Sequence, residues 1–337
     1  MSPRRSAQPQ SMQVPTTLPS PCARGGALSG AAAPASGIHV PRGFRVSVLA
    51  RGLVHPTALA WGPRGRLYAT EDVGRLVSIR RGKPRLVARG LRTPLGLAFH
   101  GRSAFVSETG RLERLRISGG RVVSRRVLVG RLPYGLHQQD NVVVGPDRRL
   151  YFGNGSTCDA CTERDPRSAT ILSVRMDGSG LRVVARGLRN PYGLAVQPRT
   201  GRIYASVNGR DKLGRHEPAE TVVRVRWGAR YGWPRCWPSW RRRRLVGACG
   251  GVSKPVAYLE PHSSADGIAF WHGALYVAEW GQYDSSRAGR RVVRVDVANG
   301  RASTFAAGFD HPLAVLPSKH GLLVADWGRG VVYRLHR

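Results

Sequence analysis

Ala185-Arg-Gly-Leu-Arg-Asn-Pro191, followed by the apolar run 193–196, is one of four closely similar openings in the chain. The others are Ala50-Arg-Gly-Leu-Val-His-Pro56, Ala88-Arg-Gly-Leu-Arg-Thr-Pro94 and Ala307-Gly-Phe-Asp-His-Pro312. Each leads into a short apolar run (58–61, 96–99, 193–196, 313–316), a turn, and a second run (67–69, 104–106, 203–205, 322–325). A third run often follows, alternating with Arg, as at 222–225 and 331–335. Two further copies lack the opening Pro. One holds Asn141-Val-Val-Val-Gly-Pro-Asp147, Leu150-Tyr-Phe152 and 170–174; the other holds Asp266-Gly-Ile-Ala-Phe270, Leu275-Tyr-Val277 and 292–295. With the opening position at Pro56, Pro94, Gln139, Pro191, Ala265 and Pro312, the spacings are 38, 45, 52, 74 and 47 residues.

Each copy reads as a set of short strands joined by turns. One such sheet cannot cover both its faces. Radial stacking around an axis buries every sheet against its neighbours and leaves only short edges. Units of about 40–50 residues are propeller-sized. Six copies therefore predict an all-β fold, a six-bladed β-propeller with four-stranded blades, spanning 39–337. A strand over 44–49 is expected to pair with the last blade and close the ring. A pair of β-sandwiches is the competing architecture, and it does not call for six similar units. The longest spacing holds an insertion at about 210–260, with Trp233, Trp237, Trp240 and the run 241–244 of four Arg. Residues 1–38 are rich in Ser, Pro, Ala and Gly without periodicity, and are expected to be disordered or processed.

Composition narrows the function. The 337 residues carry 54 Lys plus Arg against 20 Asp plus Glu, a formal net charge of +34. Only Lys83, Lys212, Lys254 and Lys319 are lysines. A nucleic-acid surface draws on both residue types, so the Arg excess reads as basic residues dispersed over a solvated surface and no specific nucleic acid is expected. The molecule should still attract polyanions at low salt. No apolar run approaches the length needed for a transmembrane helix.

Cys22 lies in the N-terminal segment, while Cys158-x-x-Cys161 and the pair Cys236 and Cys249 lie in the body. Twelve residues between the second pair argue against a zinc ribbon. Two local disulfides in an exported protein, extracellular or periplasmic, is the favoured reading; thiols in a cytosolic protein is the alternative.

Propeller chemistry belongs at the mouth of the axis, where inner-strand entry loops meet. Three segments hold reactive residues at such entries: His137 in Leu136-His-Gln-Gln-Asp140, the pair Arg189-Asn190, and His262-Ser-Ser264. A His there suits general-base work, and Arg with Asn suits an oxyanion or carbonyl oxygen.

His137-Gln138, Gly145-Pro-Asp147, Gly187-Leu-Arg-Asn-Pro-Tyr-Gly-Leu194 and Tyr231-Gly-Trp-Pro234, in this order and spacing, resemble the soluble quinoprotein glucose/sorbosone dehydrogenase family over about 40–337. The resemblance implies pyrroloquinoline quinone (PQQ) as cofactor with Ca²⁺ beside it. It also implies an aldose or sorbosone-like sugar as substrate and a separate electron acceptor. By the same resemblance His137 is the base that takes a hydroxyl proton, with Arg189 also catalytic. Gln138, Arg189, Asn190, Arg290 and Arg291 become cofactor-binding candidates, and Asn208, Gly209 and Glu220 metal candidates, with Asp211 and Glu217 as alternative ligands. The chain departs from the family pattern at Leu136, Ala219 and Val222, and the family's blade-five Lys has no counterpart. The contrasting functional reading is a non-catalytic propeller that binds sugars, protein partners or polyanions.

Overall fold

The structure, a computed structural model, describes residues 37–282 and 288–337. The expectation for 1–38 falls almost wholly outside the described residues. Gly37 and Ile38 are exceptions: Ile38 is buried among core side chains and His39 pairs with Ala307.

The six copies fold as six antiparallel sheets. Blade one is Pro56–Trp61, Leu67–Glu71, Arg75–Arg80 and Lys83–Ala88; blade two is Gly96–His100, Ser103–Glu108, Arg111–Ser118 and Arg121–Val129. Blade three holds Gln139–Val144, Arg149–Asn154, Thr170–Arg175 and Arg182–Arg186, and blade four Leu194–Val196, Ile203–Val207, Glu220–Arg224 and Ala257–Leu259. Blade five is Ala265–Trp271, Ala274–Glu279, Arg291–Val295 and Ala302–Ala307. Blade six combines Pro312–Ser318, Gly321–Asp326 and Val331–His336 with the early strand Arg45–Arg51. The innermost strands touch in cyclic order from blade one to blade six and back to one, so the fold is a six-bladed β-propeller. Arg45 pairs with His336 and Arg51 with Val331, so the closing strand lies where the sequence expects it.

Burial follows from the stacking. Second strands are covered on both faces by neighbouring blades: Leu67–Glu71, Ala274–Glu279 and Gly321–Asp326 are buried at every residue. Outer strands face water, as in Arg121–Val129, while the runs that alternate with Arg at 222–225 and 331–335 fall in third strands.

The stretch 210–260 is not one continuous excursion. Glu220–Arg224 and Ala257–Leu259 are blade-four strands. Between them, Ala229–Arg230 adds a short parallel fifth strand to blade three, and Cys236–Ser239 forms a hairpin with Arg244–Gly247. Disulfides Cys158–Cys161 and Cys236–Cys249 are both formed.

A second repeat lies at the ends of the second strands. Glu71, Glu108, Glu279 and Asp326 are buried there. Glu71 accepts from the Val54 amide (2.7 Å), Glu108 from the Arg92 amide, and Asp326 from the amides of Asp310 and His311 (2.9 Å each). Arg75, Arg111 and Arg291, each opening a third strand, pair with Glu71, Glu108 and Glu279 at 2.7, 2.6 and 2.6 Å. Buried carboxylates thus satisfy the turn amides that lead into the axis, and the arginines compensate their charge.

Candidate active site

Register explains which side chains reach the axis. The opening residues pair with the ends of their second strands: Pro56 with Glu71, Gln139 with Asn154, Ala265 with Glu279 and Pro312 with Asp326. In these four blades the ladder shifts just after the opening residue, and such bulges re-aim the side chains beside them. The next residue in five blades (Thr57, Leu95, Tyr192, Asp266 and Leu313) lines one cavity of about 280 Å³. Its counterpart in blade three is Asp140, whose pKa is raised by burial first and then by repulsion from Asp266. Two positions before the opening stand His137 in blade three and Arg189 in blade four. The two candidates are thus equivalent residues of adjacent blades.

The structure brings His137 and Arg189 together. His137 Nδ1 lies 3.0 Å from Ser156 Oγ and 3.2 Å from Ser156 O. Burial first, and then the Arg189 charge, hold its imidazole down at a pKa of about 3. Arg189 is only 4% exposed; its guanidinium pairs with Asp159 (3.0 Å) and with Asp211. Asp159 also accepts from the Asp211 amide at 2.8 Å, while its carbonyl accepts from Trp233 Nε1 at 3.0 Å. Trp233 of the Tyr231-Gly-Trp-Pro segment therefore supports the same corner.

Gln138 and Asn190 occupy equivalent entry positions, one before the opening. Gln138 donates to Thr93 O (2.7 Å) and accepts from Thr109 Oγ1. Asn190 bridges Asn208 through its backbone and lines the cavity; its Oδ1 is buried with no hydrogen-bond partner. Asn208 Nδ2 donates to Asp266 (2.9 Å), and Asn208 Oδ1 likewise has no partner.

The Gly209 amide donates to Glu220, whose carboxyl burial pushes up to about 8. Burial raises Asp266 to about 7. Among the described residues, Asn208, Gly209 and Glu220 thus form an oxygen-rich corner with Asp266, a donor chemistry that suits a hard cation. Glu217 is turned away, capping Ser239 and the Trp240 amide.

Blades five, six and one supply an aromatic wall. Trp280 and Trp327 are 5.7 Å apart, His55 stacks on Trp327 at 3.9 Å, and His311 lies 4.2 Å from Trp280. Trp327 Nε1 donates to Asp72 at 2.9 Å. Arg290 reaches Asp310 (3.5 Å) and the Gln282 carbonyl (3.2 Å). Arg291 is held by Glu279 and Glu260 (2.8 Å) in the same role as Arg75 and Arg111.

His262 does not join His137: its Nε2 lies 3.0 Å from Gly214 O, and it lines a separate groove with Trp240 and Arg243. In that groove Arg243 covers the faces of Trp240 (4.8 Å) and Tyr258 (5.1 Å), so those stacking faces are taken.

Sequence reasoning missed Ser156, Asp159, the Asp140–Asp266 pair and the aromatic wall. Repeat alignment carried a trace of two of these. Asp140 and Asp266 each directly follow an opening position, and Trp280 and Trp327 each directly follow the acid that ends a second strand.

Known proteins share this fold. The putative oxidoreductase (glucose dehydrogenase) of Thermus thermophilus superposes with a TM-score of 0.71 at 26% identity, over 87% of this chain and 100% of that one. The PQQ domain of pyranose dehydrogenase from Coprinopsis cinerea gives 0.78 at 19% identity, over 90% and 98%. PQQ-bound aldose sugar dehydrogenase from Streptomyces coelicolor gives 0.70 at 22%, over 88% and 100%. A curated relative, an uncharacterised protein of Borreliella burgdorferi, is 28% identical over 148 residues, 39% of this chain and 38% of the relative's length. The family model for glucose/sorbosone dehydrogenase matches residues 99–307, and the chain belongs to that family.

Proposed function

We propose that the protein is a PQQ-dependent sugar dehydrogenase acting on an aldose or sorbosone-like sugar and passing electrons to a separate acceptor. The observation that carries this is the meeting of His137 and Arg189, equivalent residues of adjacent blades, at one mouth beside a cavity with an aromatic wall. That donor set suits a planar quinone. Trp280 and Trp327 line the cavity as an apolar wall, edge to face, while the unpartnered Asn190 Oδ1, next in sequence to Arg189, marks the polar side. Gln138 completes this polar side. Asn208, Gly209 and Glu220 would hold Ca²⁺, which favours the ionised form of Glu220.

When bound, PQQ supplies a two-electron acceptor for hydride. His137 takes the hydroxyl proton of the sugar as its carbon is oxidised. Burial and the Arg189 charge keep its imidazole unprotonated, so a ring lone pair is present to accept that proton. Arg189, fixed by two carboxylates, keeps its charge in place to stabilise an oxygen that becomes negative. Arg290 and Arg291 are committed to partners in their own blade and in the connections on either side of it, and they enter this reading only as a basic background to the cofactor's carboxylates. The disulfides support an exported location.

The test is reconstitution with Ca²⁺ and PQQ, following reduction of an artificial acceptor across a panel of aldoses. Turnover that needs PQQ and is lost in His137→Ala is the expected result. A folded protein that binds no PQQ in excess Ca²⁺ would leave the non-catalytic propeller in its place.

A further inference from the structure

The segment 156–161, closed by the Cys158–Cys161 disulfide, touches both candidate catalytic residues. Ser156 is the hub. Its carbonyl accepts from the His137 amide (3.0 Å) and its amide donates to the Arg189 carbonyl (2.7 Å). Its hydroxyl donates to the Cys158 carbonyl at 2.7 Å. Three residues on, Asp159 holds the Arg189 guanidinium. At the far end Glu163 ties the segment down, accepting from the Thr157 amide and hydroxyl at 2.7 Å each.

A serine hydroxyl has one proton to give. Here that proton goes to Cys158 O, so Ser156 Oγ meets His137 Nδ1 only as an acceptor. Ser156 O, the other neighbour of Nδ1, is also only an acceptor. Nδ1 must therefore carry the ring proton, which leaves the lone pair on Nε2. We propose that this disulfide-closed loop is the positioning element of the site: through Ser156 and the Cys158 carbonyl it fixes the Nδ1–H tautomer of His137, and through Asp159 it fixes Arg189. The catalytic part of this inference rests on His137 being the base. The tautomer itself does not.

The cross-link holds Cys158 O against the Ser156 hydroxyl. Without it, Cys158 O is free to move away, the Ser156 hydroxyl turns its proton toward Nδ1, and the inactive Nε2–H form becomes accessible. Cys236–Cys249 makes no such contact with His137, so its removal is the matched control.

The experiment uses full-length protein with ring-¹⁵N-labelled histidine, His137 being assigned by its loss in His137→Gln. Long-range ¹H–¹⁵N spectra distinguish the two tautomers directly. Wild type should show His137 as Nδ1–H alone. Cys158→Ala/Cys161→Ala should show an added Nε2–H population, and its kcat on PQQ reconstitution should fall about tenfold with KM nearly unchanged. Cys236→Ala/Cys249→Ala should change neither. Ser156→Ala should shift the tautomer in the same direction, while Ser156→Thr, which keeps the hydroxyl, should not; this pair decides the matter if the cysteine variant does not fold. An Nε2–H form in wild type, or an unchanged tautomer in both Cys158→Ala/Cys161→Ala and Ser156→Ala, overturns the proposal. Absence of PQQ turnover in wild type would sink the dehydrogenase reading alone, since the spectra still report on the loop.

Discussion

His137, half-buried, keeps its imidazole neutral far into the acid range because desolvation and then the neighbouring Arg189 guanidinium disfavour its charged form. A histidine with an ordinary pKa loses its base form near pH 6.5. With the pKa lowered to about 3, the neutral form persists above that pH, so His137 should contribute no acid limb between pH 5 and 7. The kcat/KM profile of the reconstituted enzyme checks this, and an acid limb near 6.5 that disappears in a His137 variant would contradict it. Replacing His137 by Ala should lower kcat by about a hundred- to ten-thousand-fold, the usual contribution of a general base. At this scale the sequence was informative where a residue sits at a repeat position, as His137, Arg189 and Asn190 do. It was silent on Ser156 and Asp159. Their roles depend on how one irregular loop folds back, and no periodicity encodes that.

Among the strands, the inner edge of each blade is set by close approach as much as by apolar pattern. Gly193 precedes the inner strand of blade four, and a Cβ there would overlap the Asp266 carbonyl of blade five and Ser206 Oγ. The Gly193 amide donates to that same hydroxyl at 2.9 Å. Gly193→Ala should therefore push two blades apart and cost about 1–3 kcal/mol, the usual penalty for overpacking. Urea unfolding measures this directly, and a change below about 0.5 kcal/mol would mean the blades can shift apart without cost. The six inner strands and the closing strand Arg45–Arg51 were readable from the repeat. The division of 210–260 between blade-four strands and excursions was not. A hairpin and a two-residue strand lie between Glu220–Arg224 and Ala257–Leu259, and the third- and fourth-strand signals are short and polar beside Trp- and Arg-rich loops.

Across the whole molecule, a set of acids is buried toward the axis while most arginines face water. Asp140, Glu220, Asp266 and Glu279 are buried toward the axis, and burial raises each one, to about 8 for Glu220 and about 7 for Asp266 and Glu279. Such groups hold protons in the fold that the unfolded chain releases above about pH 4; His137, held neutral, opposes them below about pH 6.5 but is one group against four, so stability should fall as pH rises from about 4 to 8. The urea midpoint in the presence of a chelator should drop across that range, and Asp140→Asn/Asp266→Asn should flatten the slope. A wild-type midpoint that rises from pH 5 to 8 would count against protonated axial acids.

The same sorting leaves the exterior dominated by arginine, with a chain charge of +34 and many of its few acids turned inward. Long-range attraction to anions is then a property of the whole surface, screened over about 8–10 Å at moderate salt. An anionic electron acceptor such as ferricyanide should therefore be reduced fastest at low ionic strength and several-fold more slowly at about 0.5 M salt. A neutral acceptor should show little dependence. Stopped-flow measurement of acceptor reduction by the sugar-reduced enzyme separates this step from the chemistry at His137. Equal salt dependence for the two acceptors would show that the charge acts on the enzyme's own fold or cofactor affinity rather than on the encounter.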